Sequence, residues 1–359
     1  MEEYWLWFLT RKTLYRPQQR ELLRAFCTPK GVFEAKEEEL ERLKGLSPSQ
    51  RAELLGGKRE WNPEKYAHGL DARGIRFISR EHPKFPERLK EIPDPPFGLF
   101  VKGALPRPDI PAAAIIGARS CSLYGKEKAA QLGSFLAENG IQVISGMALG
   151  IDGAAQWAAL EAKGKSFAVL GCGADICYPK SNRSLYERLA SEGGILTEYP
   201  PGTQPLAMHF PVRNRIISGL SDCVAVVEAR EKSGSLITAD LALDQGKEVF
   251  AVPGRMEDPL SRGCNRLIAQ GAGILWEKEE LLYACGQTPG AAGKKEIPKL
   301  VLEKKENMVY SVLDFHSRSL EEIVEDTGLL PQEAMAAVVS LKLLGAVKET
   351  AKNYYAKLF

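Results

Sequence analysis

Over residues 1 to about 75, apolar side chains recur at helical spacing, as in Leu22, Leu23 and Phe26 and then Leu40, Leu43 and Leu46, with Pro and Gly breaking the run into short segments. A small helical domain is expected there. Residues 83–111 hold eight of the 22 prolines, including Pro93, Pro95 and Pro96. Because proline fixes φ and removes a donor, an extended connection is expected rather than helix. From 112 onward, short apolar runs alternate with helix-length amphipathic stretches. The runs fall at 113–116, 142–145, 167–170, 195–198, 224–228, 249–252 and 274–276. That alternation predicts βαβ units and an α/β fold with a doubly wound, mainly parallel sheet covered on both faces. Residues 286–299 read as a linker by composition. Beyond it, helical patterns at about 300–315, 319–328 and 331–344, then a hairpin through Val347, Tyr354 and Tyr355, have the order of a winged helix.

The predicted boundaries are a helical domain over 1–75, an α/β domain over 76–285 with its core at 112–275, a linker over 286–299 and a winged-helix domain over 300–359. A chain of 359 residues exceeds what one growing core serves, which agrees with several domains. The net charge of +2 rules out a global basic field, so any polyanion site must be local. Residues 1–111 carry 21 basic and 17 acidic side chains, 112–275 carry 16 of each, and the remainder 11 and 13. Seven cysteines without regular spacing argue for free thiols in a reducing compartment. Cys172 and Cys177 lack a nearby His, so no metal site is expected. The N-terminus carries Glu2 and Glu3 where a signal peptide needs bases, and its apolar run is too short to cross a bilayer. A cytoplasmic location without membrane association is expected.

In an open parallel sheet, ligands bind beyond the carboxyl ends of the strands. Several such ends carry small residues: Gly117-Ala118-Arg119-Ser120 after the first run, Ser145-Gly146 through Asp152 after the second, Gly171-Cys172-Gly173 after the third, and Ser233-Gly234-Ser235 opening a later helix. One glycine turn is weak evidence because tight turns need glycine anyway. Four at one end of a sheet point to an anionic ligand. Arg119 adds a guanidinium suited to phosphate, and Arg213-Asn214-Arg215, Lys180 and Arg183 complete a basic rim. The plainer alternative is an ion pair with a surface acid for Arg119, and a structural ion pair for one of Arg213 and Arg215. Tyr178 and Phe210 could stack bases, but an aromatic beside such a sheet is more often core. No catalytic constellation is expected: His68, His82, His209 and His316 join no nucleophile pattern, and no Walker or dinucleotide fingerprint is present. Asp152 and Asp240 are expected as helix caps or in first turns.

These stretches resemble the DNA-processing protein A family, also called DprA or Smf. The resemblance rests on Ile116-Gly117-Ala118-Arg119, the 145–152 run, 168–173 with Tyr178-Pro179, the 210–219 run, Val227-Glu228-Ala229, the 233–239 run and Val252-Pro253-Gly254. It implies an extended Rossmann-like domain that forms a homodimer, binds single-stranded DNA without strong sequence preference and helps load the RecA recombinase, protecting incoming strands in natural transformation. It also implies a SAM-like helical N-terminal domain and a C-terminal winged helix, with Arg119 and Lys180 contacting DNA. The DNA-binding set expected is Gly117, Arg119, Ser145, Gly146, Lys180, Arg183, Arg213, Asn214, Arg215, Ser233, Gly234 and Ser235, with no cofactor. Ala118 stands where a serine is usual, and Gln156 where a histidine is common. The helix expected at 331–344 carries only Glu333 and Lys342 as charges, which favours a protein partner over phosphate. The rival readings are a nucleotide or nucleoside-monophosphate hydrolase of the related phosphoribohydrolase superfamily, whose catalytic glutamate is missing from 233–238, and a nicotinamide oxidoreductase.

Overall fold

The computed structural model describes residues 2–288 and 302–357, in two compact units, Met1–Thr288 and Pro289–Phe359. The first unit opens with six helices: α1 (Glu2–Leu9), α2 (Arg16–Phe26), α3 (Pro29–Glu34), α4 (Glu37–Glu41), α5 (Pro48–Arg59) and α6 (Pro63–Asp71). Three begin on a cap residue followed by proline. The side chains of Thr28, Ser47 and Asn62 accept from the N–H groups of Gly31, Gln50 and Lys65, and Pro29, Pro48 and Pro63 occupy the position where a donor would have no helical partner. Trp7, Phe8, Leu22, Val32, Leu40 and Leu54 are fully buried among these helices.

The chain then enters a nine-stranded sheet. Its elements are β1 (Ile75–Ser79), α7 (Glu87–Lys90), β2 (Gly98–Gly103), β3 (Ala112–Ile116), α8 (Leu123–Glu138), β4 (Gln142–Ser145), α9 (Ile151–Glu161), β5 (Ser166–Val169), α10 (Arg183–Glu192), β6 (Gly194–Thr197), α11 (His209–Gly219), β7 (Cys223–Val226), α12 (Gly234–Asp244), β8 (Glu248–Ala251), α13 (Arg262–Ala269), β9 (Gly273–Ile274) and α14 (Glu280–Ala284). The strand order is β1-β2-β6-β5-β4-β3-β7-β8-β9. All neighbours from β6 to β9 are parallel, and β2 and β1 add antiparallel at one edge. The extended Rossmann-like architecture expected from the sequence is therefore present.

Three elements depart from the sequence reading: β1, which no predicted run covers, and two in the proline-rich segment. The segment taken as an extended connection contains α7 and the strand β2. All eight prolines fall outside 97–105, which leaves Phe97 to Val101 free to donate and pair. The chain runs outward from β3 through β4 and β5 to β6, then returns to place β7 on the other side of β3. The carboxyl ends of β3 and β7 therefore form the switch point at which open sheets leave a crevice. Helices α8 and α9 cover one face and α11 and α12 the other, and each buries an apolar stripe (Leu132, Leu136, Ala155 and Ala159 on one side, Ile216, Ile217, Leu236 and Ala239 on the other).

The second unit contains α15 (Lys304–Val312), β10 (Arg318–Ser319), α16 (Leu320–Thr327), α17 (Pro331–Leu343), β11 (Val347–Ala351) and β12 (Tyr354–Lys357). Its strands form a small antiparallel sheet in the order β10-β12-β11. Val309, Ile323, Val338, Leu341 and Tyr355 build its core. The linker expected over 286–299 lies, from residue 289 onward, outside the described residues. Among the described residues no helix is long and apolar enough to cross a membrane, and no group of side chains could hold a metal ion.

Candidate nucleic-acid interface

A cleft of about 670 Å³ opens at the switch point. Its walls come from the loop after β3 (Gly117 to Ser120), the loop after β7 (Arg230 and Lys232 to Ser235), the first turns of α11, and Tyr178. Of the residues expected from sequence, Gly117, Arg119, Arg213, Asn214, Ser233, Gly234 and Ser235 meet there. Ser145, Gly146, Lys180, Arg183 and Arg215 do not line it.

Arg119 is exposed, and its guanidinium lies 5.2 Å from the ring centroid of Phe210. Tyr178 stacks on Phe210 at 5.6 Å with ring planes 29° apart. The core assignment of these two aromatics is thus corrected. Tyr178 is 39% exposed and Phe210 is half-buried, because α11 begins at the cleft and presents its first turn outward. Arg230 and Lys232 are exposed cleft residues that sequence reading passed over. The available signal was their position in the same loop as Ser233-Gly234-Ser235, masked by the intervening Glu231 and the preceding Glu228. Among the described residues Arg119, Arg230 and Lys232 enter no ion pair.

Arg213 and Arg215 are corrections to the expected rim. Arg213 is only 4% exposed. Its Nη1 donates to the carbonyls of Gly146, at 3.1 Å, and Val169. Burial pushes its pKa down to about 10 against the pull of Asp152. Asp152 sits in the first turn of α9, where burial raises its carboxyl above the ordinary value while Arg213 and the N–H groups of Gly146 (3.1 Å) and Gly117 oppose the rise. Arg215 makes a bidentate pair with Glu198 (2.8 and 2.7 Å), and its Nε donates to the carbonyl of Asp94 at 2.8 Å. Arg16 also holds Glu198 at 2.8 Å, and both Arg16 and Arg20 hold Asp94. This network fastens the helical domain to the sheet. Burial pushes Glu198 upward, but Arg215 and Arg16 keep it below its ordinary value.

The other positions also have plain accounts. Ser145 is buried and donates to the Ile115 carbonyl at 2.6 Å. Arg183 is exposed and pairs with Glu187 at 2.6 Å. Lys180 is exposed in a short 3₁₀ turn two residues beyond Tyr178. Asn214 donates to the Gly234 carbonyl at 3.3 Å, tying α11 to the mouth of α12. Gln156 joins the loop after β4 to β5 through Met147 N–H (2.9 Å) and the Phe167 carbonyl (3.0 Å). Asp240 lies within α12, past its first turn.

The glycines separate in the same way. A Cβ at Gly117 would stand 2.6 Å from Ile151 Cγ1, and one at Gly146 would stand 2.7 Å from the Arg213 guanidinium. Internal packing alone demands both. At Gly234 a Cβ would meet nothing within 4 Å, and φ is not in the left-handed region. It opens α12, whose cap Ser233 accepts from the Ser235 N–H at 3.4 Å. The fold does not require a glycine there.

Comparison with known proteins agrees with this architecture. Residues 76–286 match the family described as DNA recombination-mediator protein A. The chain is 30% identical to Protein Smf of Synechocystis over 97% of its own length and 96% of that protein's. It is 43% identical to DNA processing protein DprA of Streptococcus pneumoniae over 57% of this chain and 76% of that one. The solved structure of DNA processing protein A from Streptococcus pneumoniae superposes with a TM-score of 0.66 at 35% identity, covering 79% of this chain and 98% of that one. DNA processing protein A from Helicobacter pylori, solved in a study of its single-stranded DNA binding mode, gives 0.53 at 32% identity, covering 59% of this chain and 96% of that one. With its sheet, its switch-point cleft and these matches together, the chain belongs to the DNA recombination-mediator protein A family.

Proposed function

We propose that the switch-point cleft binds single-stranded DNA without catalysing a reaction on it. The observation that carries the reading is the combination in one crevice of the Tyr178-Phe210-Arg119 stack with three exposed cations free of ion pairs among the described residues and the side-chain-free opening of α12 at Gly234. Bases stack on aromatic faces whatever their sequence, and cations follow the backbone. Phosphates lie along Arg119, Arg230, Lys232 and the first turn of α12, with Lys180 at the margin. Arg213 contributes by holding the cleft floor in place. The one carboxylate among the lining residues, Asp152, accepts from the Gly146 N–H at 3.1 Å and feels the charge of Arg213.

In this reading the protein works in the cytoplasm as a homodimer, whose two clefts add avidity on one strand, and it passes the strand to RecA during recombination and transformation. Family membership supports the recombination role, and the single-stranded DNA binding of the Helicobacter pylori relative supports the strand as ligand. The second unit is read as a protein-binding module. The charges of α17 are already paired, Glu333 with Lys305 at 2.8 Å and Lys342 with Glu349 at 2.5 Å, while Val339 and Leu343 are exposed. The test is binding of a fluorescent oligothymidylate against rising salt. Affinity falling linearly on logarithmic axes, with single strand preferred over a duplex of equal length, supports the proposal. Salt-independent binding, or release of free base from a nucleoside monophosphate, refutes it.

A further inference from the structure

A second cavity, of about 440 Å³, lies in the first unit, lined by residues of the N-terminal helical stretch and by Pro201. Trp61 and Tyr66 line it with ring centroids 5.5 Å apart. Three basic groups, Arg11, Lys65 and Arg73, face one lining carboxylate, Glu60. Lys65 is exposed and enters no ion pair among the described residues. Arg73 keeps a loose contact of 3.8 Å with Asp175 and donates to the Gly69 carbonyl at 2.7 Å. Arg11 is anchored by its Nε to the Trp7 carbonyl at 3.0 Å and has its guanidinium against α5, where a Cβ on Gly57 would stand 1.9 Å from Nη1.

Two features set the surroundings of the cavity. Gly57 in α5 and Gly69 in α6 are helical glycines, a choice that costs roughly 0.5–1 kcal/mol each against alanine. Only Gly57 is crowded, by Arg11; a Cβ on Gly69 would make an ordinary contact with Arg73 Nη1 at 3.5 Å. The cavity also shares a loop with the switch-point cleft. Pro201, between β6 and α11, lines the second cavity, while Pro205 and Ala207 of the same loop line the first. Four residues of chain span at most about 14 Å. The same loop thus borders the cleft and the cavity that Lys65 and Arg73 line.

We infer that this cavity is a second nucleotide-binding station on the path of the single strand, where Trp61 stacks a base and Lys65 and Arg73 take its phosphates. The helical domain is then part of the DNA-binding surface. The inference rests on the cleft reading above, extends it to a site outside the sheet, and predicts a footprint longer than the cleft alone.

The test uses the full chain with labelled oligothymidylates of about 4 and about 16 nucleotides, the short and long limits of a single-strand site. Trp61→Ala is expected to weaken the long probe at least about five-fold, the low end of one base stacked on an aromatic, and to leave the short probe unchanged. Lys65→Glu, an exposed change that does not threaten folding, is expected to weaken the long probe alone and to make its salt slope shallower by about 0.7, one phosphate contact. Wild-type affinity for the long probe in both variants overturns the inference. So does quenching of tryptophan fluorescence by thymidine monophosphate at lower concentration than by the long probe, if Trp61→Phe abolishes it, because the site would then serve a free nucleotide. Arg119→Ala separates the two readings. If it weakens both probes while Lys65→Glu weakens neither, only the second station fails; if it weakens neither, the cleft reading fails.

Discussion

Arg215→Met distinguishes an arginine that reads DNA from one that holds domains together. In the wild type, the Arg215 guanidinium is bound on both fork nitrogens by Glu198 and on Nε by Asp94, and its side chain is 5% exposed. Removing one partner of a buried pair costs about 3–5 kcal/mol because the other charge stays desolvated. Arg16 remains 2.8 Å from Glu198, so the low end, about 3 kcal/mol, applies. At about 2–4 °C per kcal/mol for a domain of this size, Tm should fall by roughly 6–12 °C. Glu198 is held below its ordinary value in the folded protein. Its contribution is therefore present above the ordinary glutamate range and is lost as pH falls through the folded value. The gap between wild type and variant should be widest near neutrality and should narrow as pH falls below the ordinary glutamate range of about 4. Glu198→Gln added to Arg215→Met should recover part of the loss. Scanning calorimetry at several pH values, with oligothymidylate binding at a temperature where both proteins are folded, decides the matter. Unchanged Tm with affinity lost several-fold would refute the structural role and restore Arg215 as a DNA contact.

Other substitutions probe the cleft itself. Gly234→Ala should leave Tm equal or slightly raised, since its Cβ meets open space, and should weaken oligothymidylate binding; equal affinity would mean no phosphate approaches there. Gly117→Ala should instead lower stability by about 1–3 kcal/mol in denaturant unfolding, because Ile151 and the Glu228 carbonyl already fill the space. Tyr178→Ala should weaken strand binding by about 1–3 kcal/mol while Tyr178→Phe should not, and equal losses in both would mean the hydroxyl, not the face, makes the contact. Deleting residues 287–359 should leave most of the oligothymidylate affinity intact, and a large loss would make the second unit the DNA reader.

Much of the fold was legible because each parallel strand is a short apolar run flanked by helix-length segments, so pattern and period agree from β3 to β9. β2 was hidden by prolines that flank it without entering it. The cleft's position was also legible, since Gly117 and Ser233-Gly234-Ser235 follow the two strands at the switch point. Its charges were not. A basic residue shows its sign in a sequence but not its partner: Glu198 lies 17 residues from Arg215, and the Asp94 carbonyl lies 121 residues away. Glycines mislead for a related reason. Those at 117 and 146 answer to neighbours distant in sequence, and only the empty space beside Gly234 singles it out.

Arg119 is the exposed guanidinium that stands on the Phe210 ring inside the cleft. The measurement that reaches the centre of the account is the affinity of Arg119→Ala for a fluorescent oligothymidylate across a salt series, beside the wild type and with the Tm of both. The account predicts binding weakened several-fold at physiological salt, a salt slope shallower by about 0.7, and an unchanged Tm. Wild-type affinity and slope in a folded variant would contradict it.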